Sequence, residues 1–357
     1  MNVSRREMIA MSAVAGLGVT SGCSLLGEDA GTGSGTTGWG TSRFIPDTAL
    51  DLPSPYRIKW LSEDRSGLRS GGRSTVWAAQ PVFEANPTDR LLAGVFFGYV
   101  SELYANQERY EPYPVFPDLG PTATPAERDF DSAVGTTERL LRVAHTTVFV
   151  GSYDVEELDA RAPAFERVGQ SGVFTIFARG GTVAGETDAP IRPRARVFAA
   201  SSDAVIFPAA NDRQALTTLR KVLDTGLGER QRLIESGDGQ AWAVSVAGDG
   251  GIVFGLWSRR TGTDTDIDLL AEAVPEASFD RIPRVGPTRG EVYSVSLTPS
   301  ELTGEFAAVY PDQQQPDRDT IDAAVGHSAA SRDVTVDGRR VSVTATWRRP
   351  ASSMTGE

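Results

Sequence analysis

"HTTVFVGSYDVEELDARAPAFERV", residues 145–168, decides the expected fold. "HTTVFVG" (145–151) is a run of β-branched and aromatic residues and reads as a strand. The next stretch, "DVEELDARAPAFERV", changes period. Asp154 and Glu157 have capping-box spacing, and Val155, Leu158, Ala162 and Phe165 fall on one helical face. Pro163 interrupts that face, so the helix is expected to kink or stop there. One strand feeding one capped helix is the unit from which the rest is built.

Downstream, "GVFTIFA" (172–178) reads as a buried strand and "RVFAASSDAVIFP" (196–208) as a hairpin. "NDRQALTTLRKVLDTG" (211–226) is a helix with an apolar stripe of Ala215, Leu216, Leu219, Val222 and Leu223. Arg220 and Lys221 suit its C-terminal end, and Gly226 can terminate it. "AWAVSVAGDGGIVFGLW" (241–257) reads as two strands turning at Asp249-Gly250. The resulting order predicts an α+β fold, a ferredoxin-like split β-α-β layer with added β-hairpins. Its helices are expected on one face of a mostly antiparallel sheet. The domain so defined runs over residues 44–258.

Upstream, Leu91, Leu92, Val95, Phe96, Tyr99, Val100 and Leu103 make a helical stripe that Thr88 or Asp89 can cap. Residues 111–125, "EPYPVFPDLGPTATP", carry five prolines and read as a long loop. Beyond 258, residues 259–290 read as a connector and 291–349 as a C-terminal α+β subdomain. There "AAVYPDQQQPDRDTIDAAV" (307–325) aligns loosely with "AVIFPAANDRQALTTLRKV" (204–222), which suggests a degenerate repeat. The second copy should end in a strand pair turning at Asp337-Gly338. Residues 350–357 read as a disordered tail.

The N-terminal stretch says where the protein goes. Ser4-Arg5-Arg6-Glu7-Met8-Ile9 resembles a twin-arginine export signal, with Arg5 and Arg6 as the paired charges. The apolar segment Met8 to Val19 is too short to span the ~30 Å of a bilayer core. Thr20-Ser21-Gly22-Cys23 resembles a lipobox whose cysteine is lipidated and becomes the mature N-terminus. Residues 1–23 are therefore expected to be signal peptide plus lipidated Cys23. Residues 24–43, with "GTGSGTTGWG", read as a Gly/Ser/Thr tether of about 25 Å root-mean-square reach. Cys23 is the only cysteine, so no intramolecular disulfide is available.

The charge balance is strongly acidic and reads as a solubility device that carries little information about ligands. Net charge is −12, and loss of residues 1–22 (Arg5 and Arg6 against Glu7, net +1) makes it −13. Such acidity disfavours nucleic acid, whose phosphates need a basic patch. Lysine occurs twice, at 59 and 221, so 33 of the 35 basic residues are arginine. Codon bias of a GC-rich genome accounts for this, as does adaptation to high salt. The twin-arginine lipobox, "KWL" (59–61), "VFVGSYDVEELD" (148–159) and "RVFAASSDAVIFPA" (196–209) together resemble uncharacterised secreted twin-arginine lipoproteins of halophilic archaea. The likeness covers residues 1–26 and 56–258. It implies a location and an architecture, and no activity.

No catalytic constellation emerges. "GSGTTG" (33–38) matches G-x-G-x-x-G but lies in the tether, without a strand before it or a helix after it. "GHSAA" (326–330) sets His327 beside Ser328, yet a helical pattern enters and a strand leaves, the reverse of a nucleophile elbow. A helix end at Gly326 fits better. His145 reads as a strand-edge residue. Asp264, Asp266 and Asp268 alternate as in a calcium loop but lack its glycine and terminal glutamate. Tyr99, Tyr104, Tyr110, Tyr113 and Phe116 form either a binding surface or a loop anchor.

The expectation is thus a lipid-anchored extracytoplasmic protein held on the outer face of the membrane through Cys23. It is read as a non-catalytic binding or assembly module with a protein partner at the cell surface. No catalytic, cofactor-binding or metal residues are nominated. The alternatives are an extracytoplasmic hydrolase that uses carboxylates, and an accessory subunit of a membrane complex.

Overall fold

The computed structural model describes residues 42–46, 56–64, 75–107, 134–143, 146–163, 165–179, 196–208, 214–258, 282–312 and 314–348. Arg5, Arg6, Cys23, most of the tether, the Pro-rich loop, His145, the aspartates at 264, 266 and 268, and the C-terminal tail lie outside them.

The elements run in the order β1 (Tyr56–Asp64), α1 (Thr75–Ala85), α2 (Arg90–Gln107), β2 (Gly135–Val143), β3 (Thr146–Tyr153) and α3 (Val155–Arg161). They continue with β4 (Glu166–Ser171), β5 (Phe174–Arg179), β6 (Arg196–Ala200), β7 (Ala204–Pro208), α4 (Gln214–Gly226) and α5 (Asp238–Ala247). The chain then forms β8 (Ile252–Ser258), β9 (Gly290–Leu297), β10 (Glu301–Val309), α6 (Arg318–Ala324), β11 (Ser331–Asp337) and β12 (Arg340–Arg348). Among the described residues the strands make one sheet of twelve, ordered β11-β12-β10-β9-β8-β1-β2-β3-β7-β6-β5-β4. Every neighbouring pair is antiparallel, so the α+β class with a mostly antiparallel sheet holds. β9 pairs with β8, and the C-terminal strands therefore extend the same sheet.

Helices cover both faces, not one. Strand side chains alternate sides, and the register carries that alternation across the sheet. Val343, Phe306, Tyr293, Phe254 and Leu61 share one face, with Leu140, Phe149 and Val205 further along it. α1, α2 and α6 pack over the first group, and α3 over the second. The opposite face presents Trp60, Leu141, Val143, Val148, Ile206, Val253 and Val292 to α4 and α5. The physical reason is that "TTVFV" and "AVIFP" are apolar at consecutive positions, which requires a cover on each side. Each buried Leu, Val or Phe contributes about 1.5–3 kcal/mol to this core.

Two elements differ from expectation. Residues 238–247 are helical, not the first strand of a hairpin. In "AWAVSVA" small and apolar residues satisfy both periods. Burial of Ala243, Val244 and Ala247 at i, i+1 and i+4 on the sheet selects the helix. α3 stops at Arg161, ahead of Pro163 as expected, but Glu166–Ser171, read as part of the same helical face, is the strand β4. Pro163 is the cause. Phe165 still reaches the core, stacked edge-on to Phe198 at 5.0 Å. Asp154 caps α3 by accepting the Glu156 and Glu157 amides at 3.0 Å each. Its own N–H goes to the Val134 carbonyl, so half of the expected capping box is replaced by a tertiary contact.

The first described segment, Ser42 to Pro46, packs into the core. Phe44 and Ile45 are 1% and 2% exposed, Leu233 donates its N–H to the Ile45 carbonyl at 2.8 Å, and Pro46 bridges Arg232. Gly226, the expected terminator of α4, also makes room for this segment. A Cβ there would lie 2.4 Å from the Phe44 ring. Arg43 pairs with Asp203 in the β6–β7 turn and stacks over Phe44. Among the described residues no helix is long and apolar enough to cross a membrane.

Candidate functional site

The "GHSAA" turn and the cap of α2 are far apart in sequence, and the fold brings them together. α6 ends at Ala324, and Gly326 turns the chain with φ +65, a conformation that glycine adopts without strain. Arg332 of β11 donates to the last carbonyls of α6, Asp322 at 2.6 Å and Val325 at 3.1 Å, and so fixes where the turn lies. The turn is thereby set against the N-terminus of α2.

There Asp89 is fully buried and accepts four hydrogen bonds. They come from the Leu91 amide (3.1 Å), the Gly326 amide (2.9 Å), the Ser328 amide (3.1 Å) and the Ser328 hydroxyl (2.8 Å). The expected capping role of Asp89 is thus one part of its work. Ser328 Oγ also accepts from Trp347 Nε1 at 2.9 Å, which ties β12 into the same network. The His327 ring places Nδ1 at 3.3 Å from the Ala324 carbonyl and 3.7 Å from Asp89. A carbonyl can only accept, so in that contact Nδ1 is the donor. Nε2 then faces the Thr88 hydroxyl at 3.5 Å.

Serine, histidine and aspartate therefore meet, but in the order of a clamp. The histidine ring approaches Thr88 rather than Ser328. The Ser328 proton is already committed to the carboxylate. Nucleophilic attack also needs free amides to hold an oxyanion. Both local candidates, on Gly326 and Ser328, point at Asp89. What this arrangement does is bind α2 to the C-terminal hairpin.

Next to it lies a buried ion pair. Arg90 Nη2 contacts both carboxylate oxygens of Glu291, at 3.0 and 3.2 Å, with side-chain exposures of 7% and 1%. Thr288 donates to the same carboxylate at 2.7 Å, and so does the Tyr293 hydroxyl. With its lone pairs occupied, Glu291 fixes the first turn of α2 on β9. Reasoning from sequence missed this group, although a signal existed. In "GEVYSVSL" the alternation puts Glu291 on the face of Tyr293 and Val295, a carboxylate among core residues.

No family model matches this chain, and no curated protein matches it by sequence. Among solved structures, crystal form I of TP0453 is similar at TM-score 0.38 and 9% identity, over 86% of this chain and 92% of that one. Crystal form III of TP0453 gives TM-score 0.37 and 8% identity over 86% and 93%. That likeness is too weak to assign a function.

A second group of polar residues lies on the opposite sheet face, beyond α5. Burial raises the Glu305 carboxyl above its usual range against a hydrogen bond from Ser294 at 3.4 Å, and the charge of Asp249 adds to the rise. Around it the register sets Thr303, Ser294, Ser342 and Thr344, a largely hydroxylated stretch of sheet. Among the described residues no three His, Cys, Asp or Glu side chains are placed to hold a metal ion. Of the aromatic cluster expected at the end of the long helix, Tyr99 is described and is buried against α1 and the sheet, as a core residue.

Proposed function

We propose that this chain is a lipid-anchored extracytoplasmic protein acting as a non-catalytic binding or assembly module at the cell surface. Arg5 and Arg6 direct export, and Cys23 carries the lipid and becomes the mature N-terminus. The observation that carries the reading is the junction at Ser42–Pro46. The domain is stitched to its own core directly after the stretch that resembles signal, lipobox and tether. A load applied through the N-terminus then reaches Phe44, Arg43 and Asp203 first. The reading carries with it the halophilic lipoprotein resemblance and the acidic, salt-tolerant surface.

The finer fold reading belongs here too. A ferredoxin-like origin is supported by the C-terminal end of the sheet. There β10, α6 and β11 form a split β-α-β unit, with β12 between two parallel strands. A degenerate repeat draws support from the strand-to-helix passages β7–α4 and β10–α6, although α5 replaces the first strand of the matching hairpin.

The experiment is export and fractionation of variants in the native host. Cys23→Ser is expected to be shed into the medium, and Arg5→Lys/Arg6→Lys to remain inside the cell. Retention of Cys23→Ser on the membrane after a high-salt wash would defeat the anchor. The second reading, a carboxylate hydrolase, is favoured by Glu305 beside Asp249. Glycan hydrolysis by the purified protein that disappears in Glu305→Gln would establish it instead.

A further inference from the structure

The two exposed large apolar side chains among the described residues, Val168 at 45% and Val173 at 67%, lie on the same β4–β5 hairpin. Single surface valines are ordinary, so their joint placement matters only through its neighbours. β4 is one outer edge of the sheet. The stretch from Val168 to Val173, "VGQSGV", holds no charged residue in a chain of net charge −12. An acidic protein meets an anionic surface at least cost through such a stretch.

The hairpin also stands near the Ser42–Pro46 segment. A Cβ on Gly172 would lie 2.8 Å from Leu227, whose neighbour Gly226 packs on Phe44. Thr175 pairs with Ala200, so the hairpin tip and the β6–β7 turn, where Arg43 meets Asp203, lie at the same end of adjoining strands. Adjacent strands are about 4.8 Å apart, which puts the edge roughly 10–15 Å from that turn. Eighteen residues separate Cys23 from Ser42 (positions 24–41). The Gly/Ser/Thr tether read from their sequence would give a reach of about 24 Å root-mean-square. A lipid on Cys23 therefore keeps this edge, more than the β11 edge at the far side of the sheet, close to the bilayer.

We infer that the β4–β5 hairpin, from Val168 to Val173, is a membrane-contacting edge that rests on the lipid surface beside the anchor. This deepens the lipid-anchored reading and rests on it. The valines enter the headgroup boundary, while Gln170 and Ser171 supply hydrogen-bonding groups suited to that layer.

The test uses the full lipidated chain, in which Cys23 is blocked by lipid and an introduced thiol is the only free one. Val173→Cys and Thr335→Cys, the latter exposed on β11, each carry an environment-sensitive dye. Both proteins are reconstituted on phosphatidylcholine vesicles containing acyl-brominated lipid in molar salt, and circular dichroism checks each fold. For a side chain lying 5–10 Å into the interface, the dye at 173 should shift to the blue and be quenched about twofold relative to 335. Co-flotation of both proteins with water-like emission at both positions would overturn the hairpin contact while leaving the anchor intact. Failure of either protein to float with vesicles would overturn the anchor, and this inference with it.

Discussion

The Ser328 hydroxyl donates to the Asp89 carboxylate at 2.8 Å across 239 positions of chain, and the same carboxylate receives the Ser328 and Gly326 amides. One buried side chain thus joins the start of α2 to the turn before β11. Asp89→Ala should destabilise the domain by about 3 kcal/mol or more, because three amides lose a charged acceptor in a dry site. Ser328→Ala removes one bond and leaves Trp347 Nε1 without its acceptor, a loss of about 1–2 kcal/mol. Urea unfolding in high salt measures both.

The Arg90–Glu291 pair gives a second, separable expectation. Glu291→Gln removes the carboxylate charge facing the Arg90 guanidinium in this buried site and should cost about 3–5 kcal/mol. Replacing both partners, as Arg90→Met/Glu291→Leu, should cost less than either single change, because the two charges of this pair leave together. A double-mutant cycle on unfolding free energies checks this.

At the junction, Phe44→Ala should cost about 3–5 kcal/mol through the cavity it leaves. Gly226→Ala alone should be destabilising, since the new methyl collides with the Phe44 ring. In the Phe44→Ala background the same change should be nearly neutral or should restore stability. Thermal unfolding of the four proteins decides whether the two positions share one space.

Two carboxylates should pull the pH profile in opposite directions. Burial alone would push Asp203 up, but hydrogen bonds from Ser201 and Arg43 and the charge of Arg43 outweigh it and hold the carboxyl below its ordinary value of 3.8. Its contribution is present above that pH and is lost as pH falls through the lower folded value. Asp203→Asn should therefore lower stability near neutrality and flatten the acid limb. Glu305, raised above 4.5 chiefly by burial, opposes folding once ionised, and that opposition fades as pH falls through its raised value. Glu305→Gln should be stabilising near pH 7 and without effect in acid. Urea midpoints measured between pH 3 and 8 test both signs.

Much of the fold was legible in local pattern. Strands such as "TTVFV" and helices such as 214–226 carry periods that a single segment displays. The helix at 238–247 was not, because alternating Ala and Val satisfy a strand and a helix equally, and only contact with the sheet selects between them. The placement of helices on both faces was legible in principle. Consecutive buried residues at Val148, Phe149 and Val150 demand cover on two sides. The Asp89 clamp was half legible. The capping role follows from position, and the turn at Gly326 follows from composition, but their meeting depends on β10, α6 and β11 being laid side by side. No local period encodes that.

The anchor is the claim on which placement and partner both depend, and intact mass of the protein from native membranes tests it most directly. The account predicts a chain beginning at Cys23 with lipid on its sulfur and residues 1–22 absent. A chain that retains Arg5 and Arg6 and has an unmodified thiol at position 23 would contradict it.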